Sequence, residues 1–193
     1  MRRIFFSHFW LSAAAASGVV VAAACGTGIG LPPAGVPNFP DTIVLFALRG
    51  TSISAPSAYD VVLGTVAQTE QGELFDVAFD FDSTDTPVMY PAGPLGVNQA
   101  AGIRLSNEPF DSIMRAPTDG YVLDEAVPMS VGLVFIVRSR TSNLGVCAFL
   151  GALPRYGKFE VLDIDGQARS ITLKLLIDVN CGYRGLQPGF PTS

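Results

Sequence analysis

Apolar residues fall into two regimes along this chain. From Ile4 to Ala24 they run almost without interruption, whereas beyond residue 40 they come in short runs punctuated by Gly, Pro, Asn and Asp. The clearest of the later runs is LFDVAFDFD, in which Phe75, Val77, Phe79 and Phe81 alternate with Asp76, Ala78, Asp80 and Asp82. A period of two places the aromatic rings on one face of a strand and the carboxylates on the other, which predicts a packed face and a watered face. Residues 42–48 (TIVLFAL) are continuously apolar and predict a strand buried on both sides; residues 59–63 predict a second strand. Three further strands are expected at 131–138, 156–164 and 170–179, the last with Ile171, Leu173, Leu175 and Ile177 on one side. Between 83 and 117 the periodicity is lost, so a long loop with one short strand at 102–105 is expected, followed by a turn at Thr118-Asp119-Gly120 and a short strand at 121–123. The irregular, apolar tail 182–191 is expected to dock on the sheet. No segment keeps a helical period over three turns. The prediction is an all-β, antiparallel domain with long loops over residues 41–193.

The first apolar run follows Met1-Arg2-Arg3 and ends in small residues, the order of a bacterial secretory leader, here residues 1–24. It is also just long enough to span ~30 Å of hydrocarbon, but the small residues before Cys25 favour cleavage. Two processing routes fit. Ala22 and Ala24 form a site for ordinary signal peptidase, and Ala22-Ala23-Ala24-Cys25 resembles the lipobox of bacterial lipoproteins, with Ala22 in place of the usual leucine. Parity separates them: lipidation of Cys25 leaves Cys147 and Cys181 to pair in a disulfide, whereas ordinary cleavage leaves an odd thiol in an oxidising compartment. Lipidation at Cys25 is therefore expected, with a membrane held by an acyl anchor rather than a span. Residues 25–40 are dense in Gly and Pro and read as the lipidated Cys and a flexible tether.

Charge narrows the partners. The chain carries 12 basic and 17 acidic residues, and removal of the leader with Arg2 and Arg3 makes the balance more negative. Such a surface repels phosphate backbones, so no nucleic-acid partner is expected. The single histidine, His8, lies in the leader. The mature chain thus has no Ser-His-Asp or Cys-His nucleophile system and lacks the commonest zinc ligand; Lys158 and Lys174 sit mid-strand and read as solvated. No catalytic residue is assigned. The DFDSTD segment offers carboxylates and hydroxyls to calcium but lacks the turn glycine and distal glutamate of an EF-hand, so no metal site is expected. Met89, Met114 and Met129 carry thioethers that suit haem iron, and Met89-Tyr90, inside the long loop, is the candidate ligand-binding pair.

A series of segments is similar to the HmuY family of bacterial haem-binding lipoproteins. After the lipobox-like Cys25 come FDVAFDFD, Ala100-Ala101-Gly102, APTDGYVLD, VFIVRSR, YGKFEVLDID and SITLKLLID. The most specific piece is Pro117-Thr118-Asp119-Gly120-Tyr121 followed by Asp124, and the match covers most of 75–178. The resemblance implies an all-β, right-hand-like fold at the outer membrane or cell surface, with haem as the candidate ligand. Two histidines hold the iron in the best-known members, on a long excursion between the strands that here end and begin at Asp124 and Val134. Nine residues separate those positions in this chain, none of them histidine, and residues 139–154 form an insertion carrying Cys147. The expectation is an exported binding protein for haem or another apolar ligand. The alternative is a structural or interaction lipoprotein that contacts an envelope protein and has no small-molecule ligand.

Overall fold

A computed structural model describes residues 30–97 and 100–192. The leader and Cys25 lie outside the described residues. Ten strands appear among those described, and they form two antiparallel sheets. Sheet one is built from β1 (Pro40–Phe46), β6 (Gly102–Ser106), β8 (Val134–Ser142), β9 (Leu153–Asp165) and β10 (Ser170–Asp178), in the order β1-β10-β9-β8-β6. Sheet two holds β2 (Ala58–Asp60), β3 (Thr65–Ala67), β4 (Val77–Phe81), β5 (Pro87–Pro91) and β7 (Val127–Pro128), in the order β3-β2-β4-β5-β7. The protein is all-β. No helix among the described residues is long and apolar enough to cross a membrane.

One core joins the inner faces of the two sheets. Tyr59 and Phe79 from sheet two meet Phe135, Phe159 and Leu173 from sheet one. Phe135 stacks on Phe159 at 5.1 Å between ring centres, and Tyr59 meets Phe159 edge-on at 5.7 Å. Such contacts add to the free energy of burying the rings themselves. The strands at the sheet's centre explain why the C-terminal runs were legible: β9 pairs with β8 on one side and β10 on the other, Phe159 facing both Phe135 and Leu175. A Cβ at Gly157 would lie 2.2 Å from the Ile177 Cδ1, so any larger residue there would displace the end of that side chain.

Several expectations are corrected. The run 42–48 is not buried on both faces: β1 lies at the edge of sheet one, pairs only with β10, and exposes Val44 while burying Leu45. Pro40 and Asp41 stand at the start of that edge, where they discourage further pairing. The segment 83–117 is not one long loop. It contains β5 as well as β6, because Pro87 and Pro91 sit at the two ends of β5 and leave Val88, Met89 and Tyr90 free to pair with β4. The strand expected at 121–123 shrinks to a single bridge between Val122 and Ile103. Residues 139–142 continue β8 past a register shift between Arg138 and Thr141. The tail does dock: Leu186 is fully buried, beside Phe110, Ile113 and Leu176.

That second apolar cluster explains a further correction. Lys158, expected to be solvated, is 1% exposed. Its sheet face is covered by the 3-10 turn Phe110–Ser112 and the segment after it, and its ammonium donates to the carbonyls of Phe110 at 2.8 Å and Ile113 at 3.0 Å, above the Phe110 ring. Burial pushes its pKa below the usual lysine value. Lys158→Met removes those donors while keeping the aliphatic stem, and an unpaired buried carbonyl costs roughly 1–3 kcal/mol. A loss of that size is expected in urea unfolding of the oxidised protein; an unchanged midpoint would contradict the role.

Candidate functional site

Asp60 ends β2 and starts the turn into β3. Its Oδ1 accepts from the Leu63 amide at 3.0 Å, and the Gly64 amide donates to the Asp60 carbonyl at 2.8 Å. Gly64 has φ 71°, the left-handed region this turn needs. Asp76, one residue before β4, accepts from the Val61 amide at 2.8 Å through Oδ2 and from the Arg140 amide at 2.8 Å through Oδ1. The register shift in β8 turns the Arg140 side chain toward sheet two, where it meets Asp60 Oδ2 at 2.7 Å and Asp76 Oδ2 at 3.0 Å. Two carboxylates and one guanidinium are thus buried together between the sheets. Burial raises the Asp76 pKa, against the opposing pull of Arg140 and the backbone donors.

The aspartates of FDVAFDFD therefore do not form a watered face. Asp76 is fully buried, and Asp80 is buried with Arg49 Nε at 2.7 Å and Arg169 Nη2 at 3.8 Å. Alternation separates the rings from the acids, but distant arginines close over the acidic side. Asp82 stays at the β4 to β5 turn, where Oδ1 accepts from the Thr84 hydroxyl and amide, both at 2.7 Å, and from the Thr86 amide at 3.0 Å. These bonds, the Thr84 hydroxyl first, hold its pKa below the ordinary carboxylate value. Among the described residues no group of three or more acids, cysteines or histidines is placed to hold a metal.

Beyond the ion cluster the sandwich is open at one end. Cys147, in the 3-10 turn Gly145–Phe149, is bonded to Cys181 just past β10, as the sequence predicted, with 5.4 Å between the Cα atoms. The described part of the stretch expected to be a flexible tether, from residue 30 on, is held here as well. Asn180 accepts from the amides of Gly35 at 2.9 Å and Val36 at 3.0 Å and donates to the Val36 carbonyl at 2.8 Å; Tyr183 donates to the Pro32 carbonyl at 2.7 Å. Asn38 exchanges backbone hydrogen bonds with Gly189 at 2.8 and 2.9 Å. The prolines that prevent regular structure in this strap also leave its carbonyls and amides free for side-chain partners.

Two hollows open around this end. The first, of about 320 Å³, lies between the strap, the 3-10 turn and Val179 to Tyr183, with Arg155 in its wall. The second, of about 290 Å³, lies over Asp60 and Arg140 and is lined by Val66 and Leu74. Leu63 and Leu144 belong to both, so the hollows are adjacent. Arg155 donates to the Val62 carbonyl, and its Nε is buried without a hydrogen-bond partner. Burial lowers its pKa from the usual arginine value. The first hollow is otherwise uncharged.

Neither member of the expected ligand-binding pair reaches either hollow. Met89 is fully buried, with Phe79 and Val127 as its strand neighbours, and Tyr90 is half-buried opposite Ala78. Sequence reasoning missed Asp60, Arg140, Arg155 and Asn180, which lie in four separate segments. Asp60 followed by Gly64 was a readable turn signal; the other three carried none. No protein-family model matches the chain, and a search of curated proteins finds no match. The class that stands on structure is an all-β protein of two antiparallel sheets with one disulfide.

Two outcomes follow from the charges. Arg140→Met leaves Asp60 and Asp76 buried without their cation, and breaking a buried pair in this way costs about 3–5 kcal/mol; a drop of that order in unfolding free energy is expected. Asp178, fully buried, accepts from the Asn180 amide at 2.9 Å and side chain at 2.8 Å through Oδ1, with the Asn38 side chain beside it. Burial pushes its pKa up to about 6. As pH rises from about 4, the unfolded chain releases this proton first, so stability falls until about pH 6 and then levels. Asp178→Asn should flatten this fall and raise stability at pH 7 to 8 by on the order of 1–3 kcal/mol, measured by urea unfolding across pH 4 to 8. A variant less stable at pH 8 would contradict the assignment.

Proposed function

We propose that this chain is an exported, lipid-anchored binding protein of HmuY-like type, which takes an apolar ligand into the paired hollows over Leu63 and Leu144. The observation that carries the reading is the construction of the first hollow. Its walls come from three remote segments locked by a disulfide and by Asn180, and its lining is apolar apart from Asn180, Tyr183 and the single cation Arg155. A preformed concave site with few polar groups is the usual form of a small-molecule site, and its volume lies at the lower end of the ~300–1,000 Å³ range.

The leader, the lipobox-like Cys25 and the odd cysteine count support anchoring at the outer membrane or cell surface. Haem belongs to the ligand class by its apolar ring and by propionates that suit an arginine. Met89 and Tyr90 line neither hollow, so this binding involves no ligation by them.

Titration of the mature protein with haemin and with dodecanoate tests the reading. A saturable shift of the haemin Soret band, or a saturable melting shift with dodecanoate, is expected. Leu144→Asp places a charge in the shared wall at an exposed position and should weaken the interaction by about tenfold or more. Flat titrations with both probes, or equal affinity in the variant, would overturn the proposal.

A further inference from the structure

The open end of the sandwich is unusual in where its charge and its apolar surface lie. Asp60, Asp76 and Arg140 are turned inward and paired, and Arg155 is tied to Val62. Of the charged residues lining the two hollows, Glu73 is the one exposed to solvent, and its carboxylate accepts from the Gln68 amide. Around them the large apolar side chains face outward: Phe149 is 89% exposed, Leu63 58%, Leu74 55% and Leu144 52%, with Val36 and Val66 also exposed. Leu63 and Leu144 line both hollows, Leu74 the second, and Phe149 shares its 3-10 turn with Gly145 of the first. Leu63, Leu144 and Leu74 form an apolar rim, and exposed Phe149 ends the turn that follows Leu144. A patch of this kind on a secreted domain marks a contact surface.

The position of the strap says what covers it. Leu31 lies against Gly182, next to the bonded Cys181, since a Cβ on Gly182 would come within 2.9 Å of Leu31 Cδ2. The chain thus reaches the sandwich at the rim. Cys25 is six residues upstream, and six residues of extended chain reach at most about 20 Å. An acyl group on Cys25 therefore keeps a bilayer within that distance of Leu31, whose neighbours Pro32 and Cys181 line the first hollow.

We infer that this end of the domain seats on the membrane, with Phe149, Leu144, Leu63 and Leu74 entering the lipid interface and the hollows opening toward it. The inference rests on the lipoprotein reading given above. The partner is a zwitterionic bilayer surface rather than an anionic one, because the rim carries no exposed cation among the described residues and Glu73 opposes an anionic headgroup. Apolar ligands then reach the hollows from the lipid phase.

The mature chain contains no tryptophan, since Trp10 lies in the leader. Phe149→Trp therefore gives a single reporter on the rim, and Ser83→Trp gives one at the far end of β4, away from Asp76. Each lipoprotein is reconstituted into phosphatidylcholine vesicles containing brominated lipid, and mass spectrometry of the N-terminal peptide reports acylation of Cys25 separately. F149W is expected to shift to shorter wavelength and lose about half its emission, as for a ring ~5–10 Å into the headgroup and acyl boundary, while S83W is unchanged. The effect should persist at high salt. With acylation confirmed, equal quenching at both positions or none at F149W overturns the seating and leaves the lipoprotein reading intact. A protein lacking acyl groups overturns both, because the reach from Cys25 no longer constrains the rim.

Discussion

Arg140 joins the two sheets at the end where the hollows form. Its guanidinium lies between Asp60 from the end of β2 and Asp76 from the start of β4, while its own backbone belongs to β8 in the other sheet. Buried ion pairs return little more in Coulomb energy than they lose in desolvation, so the importance of this cluster is positional. A single carboxylate, Asp76, accepts from Val61 in the turn after β2 of sheet two and from Arg140 in β8 of sheet one. The relative placement of the sheets here is therefore set by directional bonds, whereas the rest of the interface is set by aromatic packing.

The floor and the walls of the open end obey different physics. The floor is electrostatic and buried. The walls are chain segments with little regular structure of their own, and each is held by something specific: the 3-10 turn Gly145–Phe149 by the disulfide, the strap by Asn180 and Tyr183, and Asn180 in turn by Asp178. Because burial raises the Asp178 pKa to about 6, the support of the strap is coupled to proton binding in mildly acidic solution as well as to oxidation state.

Much of the fold was readable because strands announce themselves by period and length. The runs at 156–164 and 170–179 correspond to β9 and β10, and the pairing of Cys147 with Cys181 was expected from cysteine parity. Errors arose wherever burial depended on what covers a face. Asp76, Asp80 and Lys158 all have the alternation of solvent-facing residues, yet each is buried by a segment far away in sequence that brings a counter-charge or carbonyls. β1 failed in the opposite direction, since a continuous apolar run at a sheet edge is paired on one side alone. Met89 looked available because the prolines around it suggested a loop, and those prolines instead stand at the ends of a core strand in which Met89 is buried.

By itself the sequence determined the secondary-structure class, the central strands of sheet one and the one covalent crosslink, because period, turn residues and cysteine count are local or countable quantities. Tertiary structure alone decided which polar residues are buried, which apolar ones are left in water, and where the hollows lie. Those depend on contacts such as Arg140 with Asp60, which are 80 residues apart, and no pattern within a short window encodes the distance between two such side chains.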